Sequence, residues 1–231
     1  MRLSSIRTLV AIVGLSAVSQ LAFGDTGGAE IAPSNSHPHG KSYGQWAALW
    51  WKWALETPAS INPVLDTSGA NCAVNQHDHV WFLAGSFSGG TVSRSCSIPK
   101  GTSLFFPLAN DFYAAFLTDP ADQRTETFLR SQVTCVEGAA VSASVDGHPV
   151  STPSRYLEKS AVFGAVLPTD NVYGVTAADV PELTLSPAVD EGYYLFIEPL
   201  PPGQHQLKFS VTPNGACALP LDVTYNLTVA R

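Results

Sequence analysis

Charge is scarce in this chain: only 13% of its 231 residues are Asp, Glu, Lys or Arg. Cations are the scarcer kind, 12 against 19 acids, for a formal net charge of −7. Such a surface repels phosphate backbones, which argues against a nucleic-acid partner. Cysteine is limited to Cys72, Cys96, Cys135 and Cys217, none in a C-x-x-C pair, so neither a zinc knuckle nor a dithiol redox site is indicated. Beyond residue 24 no stretch reaches the roughly eighteen uninterrupted apolar residues that a membrane helix needs. No transmembrane segment is therefore expected in the mature chain. A phosphate-cradling glycine loop is missing. The stretch "GSFSG" at 85–89 has Phe87 where a nucleophile elbow requires serine. None of these patterns implies a cofactor.

What is present begins with an address. Arg2 and Arg7 precede the apolar run "LVAIVGLSAV", and "AFG" at 22–24 offers small residues at the positions a signal peptidase reads. The sequence predicts a signal peptide over 1–24, cleaved near Gly24, and a mature chain that is secreted or periplasmic. Without Arg2 and Arg7 the formal charge is −9. Apolar residues make up 45% of the chain, enough for a buried core rather than disorder. An even cysteine count in an exported protein points to two disulfides. Four cysteines permit three pairings; Cys72–Cys96, closing a hairpin-sized loop, with Cys135–Cys217, tying a helix to a late strand, is the one expected.

Residues 25–42 are polar, aperiodic and bear Gly and Pro, which reads as a flexible lead-in. "YGQWAALWWKWALE" (43–56) follows, with four of the chain's five tryptophans. At helical spacing Tyr43, Trp46, Trp50 and Trp53 fall within about 80° of one another, with Lys52 and Glu56 opposite. Pro58 stops the helix. From residue 79 the period becomes that of strands, in "HVWFLAGSF", "GGTVSRSCSI" and "SLFFPLA". A second helix is expected from Pro120, capped by Asp119 and ending near Gly138. After it, "AVSASVDGHPV" carries an Asp-Gly hairpin turn. "GYYLFIEPLPPGQHQLKFSVTP" reads as two strands paired around Pro-Pro-Gly. In "LDVTYNLTV", Leu221, Val223, Tyr225, Leu227 and Val229 alternate with Asp222, Thr224, Asn226 and Thr228, as on a half-buried strand. The expected fold is mainly β: a single disulfide-stapled antiparallel β-sandwich over 43–231, jelly-roll or immunoglobulin-like, with a Trp-rich N-terminal helix and one further helix.

Six phrases, "YGQWAALWWKWAL", "NPVLDTSGANCAVNQ" with "VWFLAGSFSGG", "LFFPLAN", and "GYYLFIEPLPPGQHQLKFSV" with "LDVTYNLTV", together resemble a family of secreted, mainly bacterial proteins of uncharacterised function. The likeness spans most of the mature chain and implies export, with no activity attached. The Asp-Gly turn followed by "LPPGQHQL" is similar to strand pairs of immunoglobulin-like modules, a likeness of fold only.

Three functional classes remain. A non-catalytic binding or envelope-associated protein, with extracellular polysaccharide or a cell-envelope component as partner, fits the export signal and the aromatic content. Its contacts would come from the helix: Trp51, off the main stripe and expected at the rim of a cleft, then Trp46 and Trp50. A secreted hydrolase of carbohydrate or ester bonds would need paired carboxylates, drawn from Asp66, Asp111, Asp190, Glu191 and Glu198. A metal-binding protein would use an H-x-H pair, His77 and His79, whose side chains point the same way on a strand.

Overall fold

The computed structural model describes residues 28–76, 79–215 and 219–231. Helix α1 spans Tyr43–Glu56. Ser42 caps it: its hydroxyl accepts the Gln45 N–H while the Gln45 side chain accepts the Ser42 N–H, so two otherwise orphan donors are satisfied together. Among the described residues ten strands follow, in two five-stranded sheets. The first joins β1 (Val80–Phe82), β3 (Ser103–Phe116), β8 (Thr184–Ile197), β6 (Leu157–Lys159) and β7 (Phe163–Val166). The second runs β2 (Gly90–Ile98), β10 (Leu221–Val229), β9 (Gly203–Thr212), β4 (Ala140–Val145), β5 (His148–Pro149).

The layers are α1, first sheet, second sheet. Phe105, Tyr194 and Phe196 face the helix, among Tyr43, Trp46, Trp50 and Trp53. Leu104, Phe106, Leu195 and Ile197 face the second sheet, where they meet Leu207, Phe209, Val223, Tyr225 and Leu227. The first sheet is therefore covered on both sides, and β8 is buried without interruption from Ala188 to Ile197. Among the described residues the second sheet is covered on one side only, and β10 keeps the alternation read from its sequence: Val223, Tyr225, Leu227 and Val229 are buried and the residues between them are not. Gly44 sits where α1 meets the segment after β6. A Cβ there would collide with the Lys159 carbonyl, and the Gly44 carbonyl accepts the Ala161 N–H at 2.8 Å.

Several expectations need correction. The sheets are mixed rather than purely antiparallel: β1 runs parallel to β3, and β2 parallel to β10. β1 and β2 are edge strands, and in each parallel pair the chain visits the other sheet between the two partners, which frees them from hairpin polarity. The Pro-Pro-Gly stretch does not pair the strands around it, because β8 pairs with β3 while β9 pairs with β10 and β4. It carries the chain from one sheet to the other. The second helix, α2, covers only Glu126–Gln132 and is capped by Thr125. Asp119 instead accepts the Phe116 N–H at 2.7 Å, closing a turn at the end of β3. Residues 28–42 do not trail free: Ile31 bridges Ile197, Ala32 donates to the Phe196 carbonyl, and Pro38 accepts the Trp46 indole N–H. The Asp-Gly hairpin forms as expected, with positive φ at both Asp146 and Gly147.

Cys72 and Cys96 form a disulfide. It lays the loop after α1 along the free edge of β2, where Ser95 also donates to the Ser68 carbonyl, so this edge is closed to other strands. Cys135 is disulfide-bonded as well; its expected partner Cys217 lies outside the described residues. Replacing both Cys72 and Cys96 with alanine is expected to lower the unfolding free energy by about 3 kcal/mol, from the loop-closure entropy of a 24-residue separation. Urea denaturation measures it, and a loss below about 1 kcal/mol would show that backbone bonds alone hold that edge.

Candidate functional site

Strand β1 ends at Phe82, opposite Phe105, so beyond that pair β3 has no paired strand on that side among the described residues. Along this open edge, at Pro107–Asp111, lies a cleft of about 260 Å³. Trp50, Trp51 and Phe87 form one wall, Val211 and Leu221 of the second sheet the other, with Cys135 and Val136 beyond α2. Pro107 has no N–H to offer a pairing strand, which suits an edge left open.

The wall at 84–87 is set by a buried cation. The Arg94 guanidinium, 1% exposed, donates to the carbonyls of Ala84 (2.9 Å), Gly85 (2.8 Å) and Asp66 (2.6 Å). Tyr225 completes the clasp, its hydroxyl accepting from the Ala84 N–H and donating to the Ala84 carbonyl. These bonds draw the chain out of the strand after Phe82, which is why the expected strand over 79–87 is short. Phe87 thereby lies nearly parallel to Tyr173 at 6.1 Å and stacks on Trp51 at 6.4 Å, while Phe112 packs on Trp51 at 4.2 Å. Tyr173 is exposed.

Behind Trp51 is a carboxylate with no exposure at all. Asp190 accepts the Trp51 indole N–H at 2.7 Å and the Tyr194 hydroxyl at 2.9 Å. Tyr194 in turn accepts from the Asn110 amide at 3.1 Å, so a hydrogen-bond chain runs from a cleft side chain to the buried acid and out to Trp51. Gly192 makes room for it, since a Cβ there would lie 2.6 Å from that of Asn110. Burial pushes the Asp190 carboxyl well above the usual carboxylate range; the Trp51 and Tyr194 bonds oppose the shift, and the nearby charges of Asp111 and Glu191 add to it. Asp111 is also raised by burial, against the N–H groups of Cys135, Thr134 and Phe112. Glu191 is raised by burial too, with Lys159 opposing.

Of the residues singled out in the sequence, Trp50 and Trp51 line the cleft, while Trp46 lies in the core away from it. Trp51 is not a rim residue: it is 4% exposed and wedged between Asp190 and Phe112. Among the five carboxylates, Asp111, Asp190 and Glu191 come together because β3 and β8 pair Asp111 with Glu191 and Phe112 with Asp190. Of these only Asp111 lines the cleft. Asp66 serves its own loop, accepting from Ser68 and Asn71, and Glu198 sits near Glu30 at the other end of β8. His77 lies outside the described residues, and His79 is exposed, its ring 6.3 Å from that of His39. No group of three or more metal-ligating side chains occurs among the described residues. Arg94, Asn110 and Tyr194 were missed. For Arg94 a signal existed, because "TVSRSCSI" places it at the same parity as Val92, Cys96 and Ile98, all buried.

A raised folded-state pKa means that the native chain holds a proton the unfolded chain has released. Stability therefore falls as pH rises from about 4 through the Asp190 value. Asp190→Asn, which keeps an acceptor for Trp51, is expected to match the parent below about pH 4 and to exceed it increasingly as the pH rises above that. Asp190→Ala leaves both donors unpaired and is expected to cost about 2–4 kcal/mol throughout. Thermal melts across pH test both, and a parallel pH profile for parent and Asp190→Asn would refute the assignment.

No family model matches the chain. No curated protein matches it. Among solved structures, the chain is similar to the crystal structure of the cysteine protease inhibitor EhICP2 from Entamoeba histolytica, at 13% identity, covering 65% of this chain and 94% of that one, with a TM-score of 0.23. The solution structure of Amebosin matches at 10% identity over 66% of this chain and 99% of that one, again with a TM-score of 0.23. Scores this low establish no shared fold and carry no inference about activity.

Proposed function

We propose that this protein is an exported, non-catalytic binding protein whose cleft at the open edge of β3 takes a saccharide. The observation that carries this reading is the meeting of an aromatic wall, Phe87 stacked on Trp51, with the planar polar side chains of Asn110 and Asp111 in one concave site. A sugar ring has apolar C–H faces that stack on aromatic rings and hydroxyls that bond to amides and carboxyls. Clefts that are mostly apolar with a few convergent polar groups are the usual form of small-ligand sites. The hydrolase reading is less supported, because cleavage needs two carboxyls flanking the bond and Asp111 is the one carboxylate of the five that lines the cleft. The signal peptide expected over 1–24 supports this reading, since an exported protein would meet polysaccharide.

Titration of soluble oligosaccharides, followed by tryptophan fluorescence and calorimetry, is expected to show saturable binding without release of cleaved product. Phe87→Ala and Asn110→Ala are each expected to weaken it at least tenfold with the melting temperature nearly unchanged. Saturable binding that both variants retain in full would move the ligand elsewhere, and steady release of shortened sugars would make the protein a hydrolase.

A further inference from the structure

The outer face of the second sheet is a lattice of uncharged hydrogen-bonding groups. Cross-strand register sets Ser95, Asn226 and Gln206 side by side in one row, and Ser97, Thr228 and Gln204 in the next. Two more rows continue onto β4 through Ser210 with Ser142 and Lys208 with Ser144. These side chains are exposed or half-exposed. On this face of the paired strands only Asp222 and Lys208 carry charge, and the Gln206 row ends at the turn carboxylate of Asp146, which accepts the Gln206 N–H and bonds the His205 ring. A solvated sheet face ordinarily relies on charged residues for solubility and to discourage association; here hydroxyls and amides take their place.

We infer that this face is a docking surface for an uncharged, hydroxyl-rich polymer, a polysaccharide chain or the surface of a packed array of such chains. Charge selects the partner: with a single cation the face has little to hold a phosphate polymer or an anionic membrane, and it presents no apolar stripe for an amphipathic helix. Hydroxyls and amides both donate and accept, so each can exchange a bond to water for a bond to a sugar hydroxyl without desolvating a formal charge. The groups are also held in place before any partner arrives. Ser142 and Ser210 share a hydrogen bond of 2.7 Å, Gln204 bonds Thr228 at 3.0 Å, and Gln206 bonds Asn226 at 3.2 Å. Pre-ordering of this kind reduces the entropy lost on association. The array repeats about every 4.8 Å across strands and about every 6.8 Å along them. Periodicity in two directions suits a repeating polymer better than a single small ligand. The inference stands independently of the cleft, which lies at the edge of β3 and engages none of the two rows named first.

The test is co-sedimentation of the full chain with microcrystalline cellulose and with chitin, in low and moderate salt. The parent is expected to pellet with at least one of the two, with less than a twofold change between 0.1 and 0.5 M NaCl. Thr224→Glu with Asn226→Glu places two charges at the centre of the lattice and is expected to reduce the pelleted fraction at least tenfold. Gln204→Ala with Gln206→Ala, a gentler change that keeps the proposal testable should the first variant unfold, is expected to reduce it about threefold. Val166→Ala, at an exposed position on β7 outside both the lattice and the cleft, is expected to pellet like the parent. Failure of the parent to pellet with either polymer would overturn the proposal. So would retention by folded lattice variants, or adsorption abolished by salt. The soluble-sugar titration reads the cleft separately, so either reading can fail without the other.

Discussion

Burial of β8 on both faces is the constraint from which the rest of the structure follows. A strand between a helix and a second sheet has no solvent side, so it reads as a largely apolar run, and ten consecutive residues, Ala188–Ile197, are buried. The tryptophan helix supplies one cover, its four indole N–H groups bonded to Pro38, Leu83, Asp190 and Val74. The facing residues of β9 and β10 supply the other. The tryptophan density has a structural cause: large rings are needed to fill the space between a helix and the aromatic surface of Phe105, Tyr194 and Phe196.

Asp190 interrupts this apolar strand, and its consequences reach the cleft. A buried carboxyl is tolerated where donors converge on it, and here Trp51 and Tyr194 both do. The same bonds hold Trp51 as a wall and, through Tyr194, orient Asn110. Arg94 does the equivalent work on the opposite wall, with backbone carbonyls rather than a carboxylate as its partners. Two ionisable groups in the interior thus shape the cavity without lining it, which ties the geometry of the site to the integrity of the core.

The two sheets meet solvent differently. The edge of β2 is closed by a disulfide-held loop and that of β1 by Gln76, whose side chain exchanges two hydrogen bonds with the Phe82 backbone. The open stretch of β3 is where the cleft forms. Among the described residues the second sheet leaves one face uncovered, and the strands there present few charges.

Much of this was legible along the chain. Helix α1 with its end at Glu56, the Asp-Gly hairpin, the alternation of β10 and the Cys72–Cys96 pairing all rest on local signals: a 3.6-residue stripe, two turn residues, a period of two, a short loop. The parallel pairings of β1 and β2, the separation of β8 from β9, and the role of Trp51 were not legible. Each depends on which strand lies alongside which, and strand order is set by the packing of two faces at once. Asp111, Asp190 and Glu191 could be named as acids, but only the register of β3 on β8 gathers them and sets aside Asp66 and Glu198. By itself the sequence determined a β-rich chain with a tryptophan-bearing helix, because hydrophobic period is written residue by residue. The tertiary structure alone decided which carboxylate is buried, which edge is open and which face is bare, because each of these is a relation between segments far apart in the chain.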